Sequence, residues 1–148
     1  MSALSIQGVS RIFETGQGQR TQALLPVDFN VHDNDFVTIL GPSGCGKSTL
    51  LRIVAGLERP STGRVMLDGQ PVDGPGADRG MVFQSYTLFP WLTVAQNIRF
   101  GLRERGMAEA AQKERCDYFV AKVGLRGFEN HFPKQLSGGM QQLSLIHI

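Results

Sequence analysis

Gly41-Pro42-Ser43-Gly44-Cys45-Gly46-Lys47-Ser48-Thr49 follows the pattern G-x-x-x-x-G-K-[ST], with Gly41, Gly46, Lys47 and Ser48 at the fixed positions. A polyphosphate is a dense anion, and holding it takes several donors that converge on one small volume. Glycines let backbone N–H groups turn inward with no Cβ in the way. A helix starting at the end of the run adds free N–H groups and the positive end of its dipole. Lys47 brings a full charge for the β- and γ-phosphates, and Ser48 an oxygen for Mg²⁺. The run from Gly41 to Thr49 is therefore the candidate nucleotide-binding loop. By chance, the four fixed positions would coincide in a chain of 148 residues less than roughly 1 % of the time.

The flanks supply the context this pattern needs. Asp35-Phe36-Val37-Thr38-Ile39-Leu40 reads as a short strand entering the loop. Leu50, Leu51, Val54 and Leu57 recur at helical spacing after it, and Gly56 suits the end of that helix. Upstream, Leu4 to Phe13 reads as a strand with Gly8 near its end, and Thr15 to Thr21 as a polar loop or hairpin tip. Val27, Phe29 and Val31 alternate along a half-buried strand. Downstream come a turn at Pro60–Gly63, a short strand from Arg64 to Leu67 and a hairpin turn at Asp68-Gly69. A Pro/Gly-rich loop from Pro71 to Gly80 then leads into Met81-Val82-Phe83, which reads as a short buried strand.

The second half is helical. Thr93 to Arg105 places Val94, Asn97, Ile98, Gly101 and Leu102 along one side. Ala108 to Val123 does the same with Gln112, Cys116, Phe119, Val120 and Val123, and Gly124 suits its end. Composition is that of a globular chain, with 41 % hydrophobic and 19 % charged residues. A net charge of +2 gives no case for nucleic acid as a partner. No apolar stretch approaches transmembrane length, and the first residues lack the pattern of a signal peptide. Cys45 and Cys116 lie far apart, which fits unpaired thiols in a reducing compartment.

A second motif follows the helical region: Leu136-Ser137-Gly138-Gly139-Met140-Gln141-Gln142, at what reads as a helix start. The two motifs in this order resemble the nucleotide-binding domain of ABC transporters, over residues 1 to about 142. The resemblance implies an α/β fold, a P-loop NTPase with an antiparallel β subdomain and a helical insertion, here without its later core strands. It divides the chain into a β and phosphate-loop core over about 1–84, a helical subdomain over about 85–136, the signature at 136–142 and a tail at 143–148. It implies ATP and Mg²⁺ as ligands. Two copies would sandwich ATP, the loop of one facing Leu136, Ser137, Gly138, Gly139 and Gln142 of the other. Gln84 matches the glutamine that reaches Mg²⁺ and the attacking water, alongside Ser48. Phe13 matches the aromatic that stacks on adenine, where Tyr is commoner; core packing is the alternative.

Tyr86, Leu88, Phe89, Pro90 and Trp91 crowd together just after Gln84, in what reads as loop. Exposed aromatics beside a pocket suggest docking, and in the resembling family this region receives the membrane subunits. Core packing of the helical insertion is the alternative for this stretch, and it accounts for Val94 and Ile98. The stretch Gly76–Gln84, continued by Pro90-Trp91, looks most like ATPases of nitrate, sulfonate or taurine importers. The resemblance thus implies an ATP-binding importer subunit at the cytoplasmic face of a bacterial membrane. Its partners would be a second copy, transmembrane permease subunits and, indirectly, a solute-binding protein.

The family continues past the signature to an Asp that orients Mg²⁺, a Glu that polarises water and a later His; here Leu143-Ser-Leu-Ile-His-Ile148 follows instead. That tail is what the adapter-like string CTG-TCT-CTT-ATA-CAC-ATC encodes, so a truncated gene with a non-native end is expected, a genuine short protein being the rival. Poor solubility and no measurable turnover are expected of the 148-residue piece. Three other readings stay open. They are a soluble ABC-type ATPase of repair, translation or chromosome maintenance, a different phosphate-loop enzyme such as a kinase or GTPase, and a non-catalytic nucleotide-binding module.

Overall fold

The structure is a computed structural model, and it describes residues 3–14, 16–83 and 87–144. The chain divides into two compact units, Met1–Met81 and Val82–Ile148.

The first unit is an antiparallel sheet with one helix packed on it. Strand β1 spans Leu4–Glu14 and β2 Arg20–Val31; β3 spans Thr62–Leu67 and β4 Gln70–Pro71, in the order β2-β1-β3-β4. Every pairing is antiparallel. Asp68 and Gly69 both have positive φ, 52° and 76°, the backbone of a tight two-residue hairpin turn. Helix α1 covers Lys47–Val54 and sets Leu50 and Ile53 into a core with Ile6, Val9, Leu24 and Val65. Each such side chain removed from water contributes about 1.5–3 kcal/mol.

The second unit is helical. Helix α2 spans Val94–Glu104, α3 Glu109–Lys122 and α4 Gly138–Ser144, with a 3₁₀ turn at Pro133–Gln135 before α4. Thr93 begins α2 with a reciprocal cap: its hydroxyl accepts from the Gln96 N–H at 3.3 Å, and its own N–H donates to the Gln96 side chain at 2.8 Å. Val94 and Ile98 pack with Cys116, Val120, Leu125 and Leu136. Among the described residues, no helix is long and apolar enough to cross a membrane.

Several local expectations need correction. Asp35–Leu40 forms no strand; Phe36 is 95 % and Leu40 86 % exposed, and only Ile39 packs against the first core. A strand exists only beside another, and no described segment lies alongside to pair with it. Met81–Phe83 is not a strand either, and Val82 is 74 % exposed. Gly8 is not near a strand end but inside β1, where the register shifts between Ile6 and Val9. On α1 the buried pair is Leu50 and Ile53, while Leu51 and Leu57 face outward.

Candidate functional site

The loop ahead of α1 is shaped by what Gly46 alone can do. Gly46 has φ 95°, and a Cβ there would lie 2.4 Å from the carbonyl oxygen of Ala23. The loop therefore rests directly on β2 and delivers the chain into α1. No side chain caps α1, and no acidic residue stands in its first turn. The positive end of the helix keeps its field, and its first N–H groups remain available to an anion.

Lys47 is the first residue of α1, and its ammonium folds back across the loop. It donates to the carbonyl oxygens of Gly41 at 2.8 Å and Pro42 at 2.6 Å, and lies 3.5 Å from the Cys45 sulfur. Its oxygen partners are neutral carbonyls of its own loop rather than a carboxylate, so a polyphosphate would meet a cation already placed at the loop mouth. Gly41 to Cys45 and Ser48 are exposed, and Gly46, Lys47 and Thr49 half-buried. Among the described residues no group of three His, Cys, Asp or Glu could hold a metal ion. Ser48 offers one oxygen, which suits a Mg²⁺ whose other ligands are phosphates and water. Gln84 lies outside the described residues.

Phe13 stands at the same end of the sheet as the loop. It pairs with Thr21 and Arg11 with Leu24, while Gly46 packs on Ala23 and Leu24. Phe13 is 38 % exposed, too open for a core residue.

In the second unit, Ser137 stands just before α4. Its hydroxyl accepts from the Met140 N–H at 3.4 Å, and its carbonyl from the Gln141 N–H at 2.9 Å. Ser137, Gly139 and Gln142 are exposed and Gly138 half-buried. Leu136 differs from the expectation of a contact residue. It is buried in the second core and anchors the motif. The Gln141 side chain ties the same turn, donating to the carbonyls of Pro133 at 2.9 Å and Leu136 at 3.2 Å.

Of the docking candidates, Trp91 is 69 % exposed and Pro90 exposed, but Leu88 is buried, a correction to its reading as surface. Phe89 bridges, its ring 5.6 Å from Trp91 and 4.6 Å from Phe100. Beside it lies a hollow of about 410 Å³ lined by Leu92, Gln96, Arg99, Phe100, Arg103 and Glu109, among others. Tyr86 lies outside the described residues. Two residues with clear local roles were given none by the sequence: Asn97, whose amide fastens Phe89, and Arg11 beside Phe13. The signal for Asn97 is a polar residue on an otherwise apolar helix face.

The sequence profile of the family described as "ABC transporter" matches residues 24–148. The chain belongs to the ABC transporter family. Among ABC relatives, the taurine import ATP-binding protein of Pelagibacter ubique is 48 % identical over 142 residues, 96 % of this chain and 54 % of that protein. The nitrate import ATP-binding protein of Synechocystis is 46 % identical over 139 residues, 94 % of this chain and 52 % of that protein. A solved dimeric structure of an ATP-binding cassette in a post-hydrolysis state, bound to ADP and Pi, superposes with a TM-score of 0.83 at 31 % identity. It covers 96 % of this chain and 67 % of the cassette. The chain is thus homologous to importer ATP-binding subunits and shares the P-loop fold of the ABC cassette, with the expected antiparallel sheet and helices. It spans about half the length of the curated relatives it matches.

Proposed function

We propose that the chain is part of the ATP-binding subunit of an ABC importer, which couples ATP binding and hydrolysis to uptake of a small anionic or zwitterionic solute such as nitrate, a sulfonate or taurine. One observation carries the reading: the Lys47 ammonium held by the Gly41 and Pro42 carbonyls in front of an uncapped helix start. The amides of Ser43 to Thr49 and the Lys47 charge would hold the β- and γ-phosphates. Ser48, with Gln84, would complete the coordination of a phosphate-bound Mg²⁺, which supplies charge neutralisation on the phosphoryl oxygens. Phe13 would stack on adenine. Ser137, Gly138, Gly139 and Gln142 of a second copy would close on the γ-phosphate, with Leu136 as their anchor. Pro90, Trp91 and the adjoining hollow would meet the permease, together with Phe89 and Tyr86.

Such a subunit works at the cytoplasmic face of the membrane, alongside its permease and a solute-binding protein. The test is co-expression of the longest chain the gene encodes with the permease encoded beside it. Co-purification and ATP-dependent solute uptake, both lost or severely weakened in Trp91→Ala, are the expected outcome. A chain that binds ATP yet neither co-purifies nor supports uptake would favour a soluble ABC-type ATPase.

A further inference from the structure

We infer that Arg11 is a positioning residue that fixes the Phe13 ring as a platform for the nucleotide base, an inference that rests on the adenine-stacking reading of Phe13. The Arg11 guanidinium carbon sits 4.5 Å from the Phe13 ring centroid and covers one face of the ring. Residues i and i+2 of a strand point the same way, which is why the two side chains meet. Phe13 is still 38 % exposed, which leaves part of the residue accessible to a partner.

Arg11 is itself held. Its guanidinium pairs with the Glu58 carboxylate at 2.6 Å, with both side chains about three-quarters buried. Its Nε is buried with no acceptor among the described residues, so the side chain is set by the ring and by Glu58 rather than by a full complement of hydrogen bonds. Glu58 lies just past the end of α1, the helix that begins at Lys47. Ser61 pins the neighbouring backbone: its hydroxyl accepts from the Ile12 N–H at 2.9 Å, and its N–H donates to the Ser10 carbonyl at 2.8 Å. The phosphate loop leads into α1 and Glu58 follows it, so one short stretch of chain connects the loop to the residue that holds Arg11. A ring already held in one rotamer loses less freedom when a base stacks on it.

The experiment compares MgATP with Mg-tripolyphosphate, which has the phosphates and no base. Affinities are measured by calorimetry on the longest chain the gene encodes. Arg11→Met should weaken ATP about fivefold and leave tripolyphosphate unchanged. Arg11→Lys, which keeps the pairing with Glu58, should fold and lose about half of that effect on a logarithmic scale. In a Phe13→Ala background, Arg11→Met should cost nothing further. Equal weakening of both ligands, or of neither, would show that Arg11 only braces the strand. If Phe13→Ala itself leaves the ATP preference intact, the platform reading falls and the role of Arg11 with it. If Phe13→Ala abolishes the preference while Arg11→Met and Arg11→Lys keep it, the platform stands and the inference about Arg11 is overturned.

Discussion

Asn97 and Phe89 hold each other by two hydrogen bonds: the Phe89 N–H donates to the Asn97 side-chain oxygen at 2.9 Å, and the Asn97 amide donates back to the Phe89 carbonyl at 3.2 Å. The same amide nitrogen reaches the carbonyls of Leu92 and Thr93, each at 3.0 Å. Asn97 is almost wholly buried, so these groups have no water to turn to. Helix α2 thereby fixes the loop that presents Trp91.

Asn97→Ala leaves the Phe89 N–H and the loop carbonyls without their partner, a loss of about 3 kcal/mol of stability. Trp91 is the only tryptophan in the chain, which makes its fluorescence anisotropy a direct report on the loop. A lower melting temperature and lower Trp91 anisotropy are expected. Unchanged values of both would mean that the amide does not hold the loop.

The two thiols should react very differently. Cys45 is exposed in the phosphate loop, beside Lys47. Cys116 is buried in the second core, and burial pushes its thiol pKa up, away from the reactive thiolate. A maleimide should label Cys45 well before Cys116, and MgATP should slow labelling at Cys45 alone. Equal rates at Cys45 with and without MgATP would count against a loop that closes on nucleotide.

Asp35 gives a pH dependence with a definite sign. The His32 backbone N–H donates to its carboxylate at 2.8 Å, with the His32 ring at 3.3 Å, and these hold the carboxyl below its ordinary range. A lowered folded pKa means that the unfolded chain takes up the proton first as pH falls. The contribution is present above the ordinary carboxylate pKa and lost as pH drops through the lowered one. Denaturant midpoints should fall with acidification below pH about 4, and less steeply in Asp35→Asn. Identical slopes for the two proteins would remove the His32–Asp35 turn as a contributor.

What the sequence shows well is what is decided locally. The Gly41–Thr49 pattern, the α1 start at Lys47, the helical stretch from Thr93 with the Val94, Asn97, Ile98 and Leu102 face of α2, and the Asp68-Gly69 turn all follow from neighbours a few residues apart. The failures are non-local. Phe36 to Leu40 has the composition of a strand, but a strand also needs a partner edge. Ile53 rather than Leu51 packs inward because β1, β2 and β3 lie on that side of α1, a choice that helical spacing alone does not make. Leu136 and Leu88 sit inside functional-looking motifs yet are buried, because a motif read as a string does not say which of its side chains faces the core.

Lys47 carries the central claim, since its ammonium is a full positive charge that the Gly41 and Pro42 carbonyls set at the mouth of the loop. The most direct measurement is equilibrium binding of MgATP by calorimetry to the longest chain the gene encodes and to its Lys47→Ala variant, with melting curves confirming that both are folded. Saturable binding that weakens by about 10- to 100-fold in the variant is predicted, the loss expected for a charged hydrogen-bond donor. A folded protein that binds no adenine nucleotide, or binds it equally well without the lysine, would contradict the account.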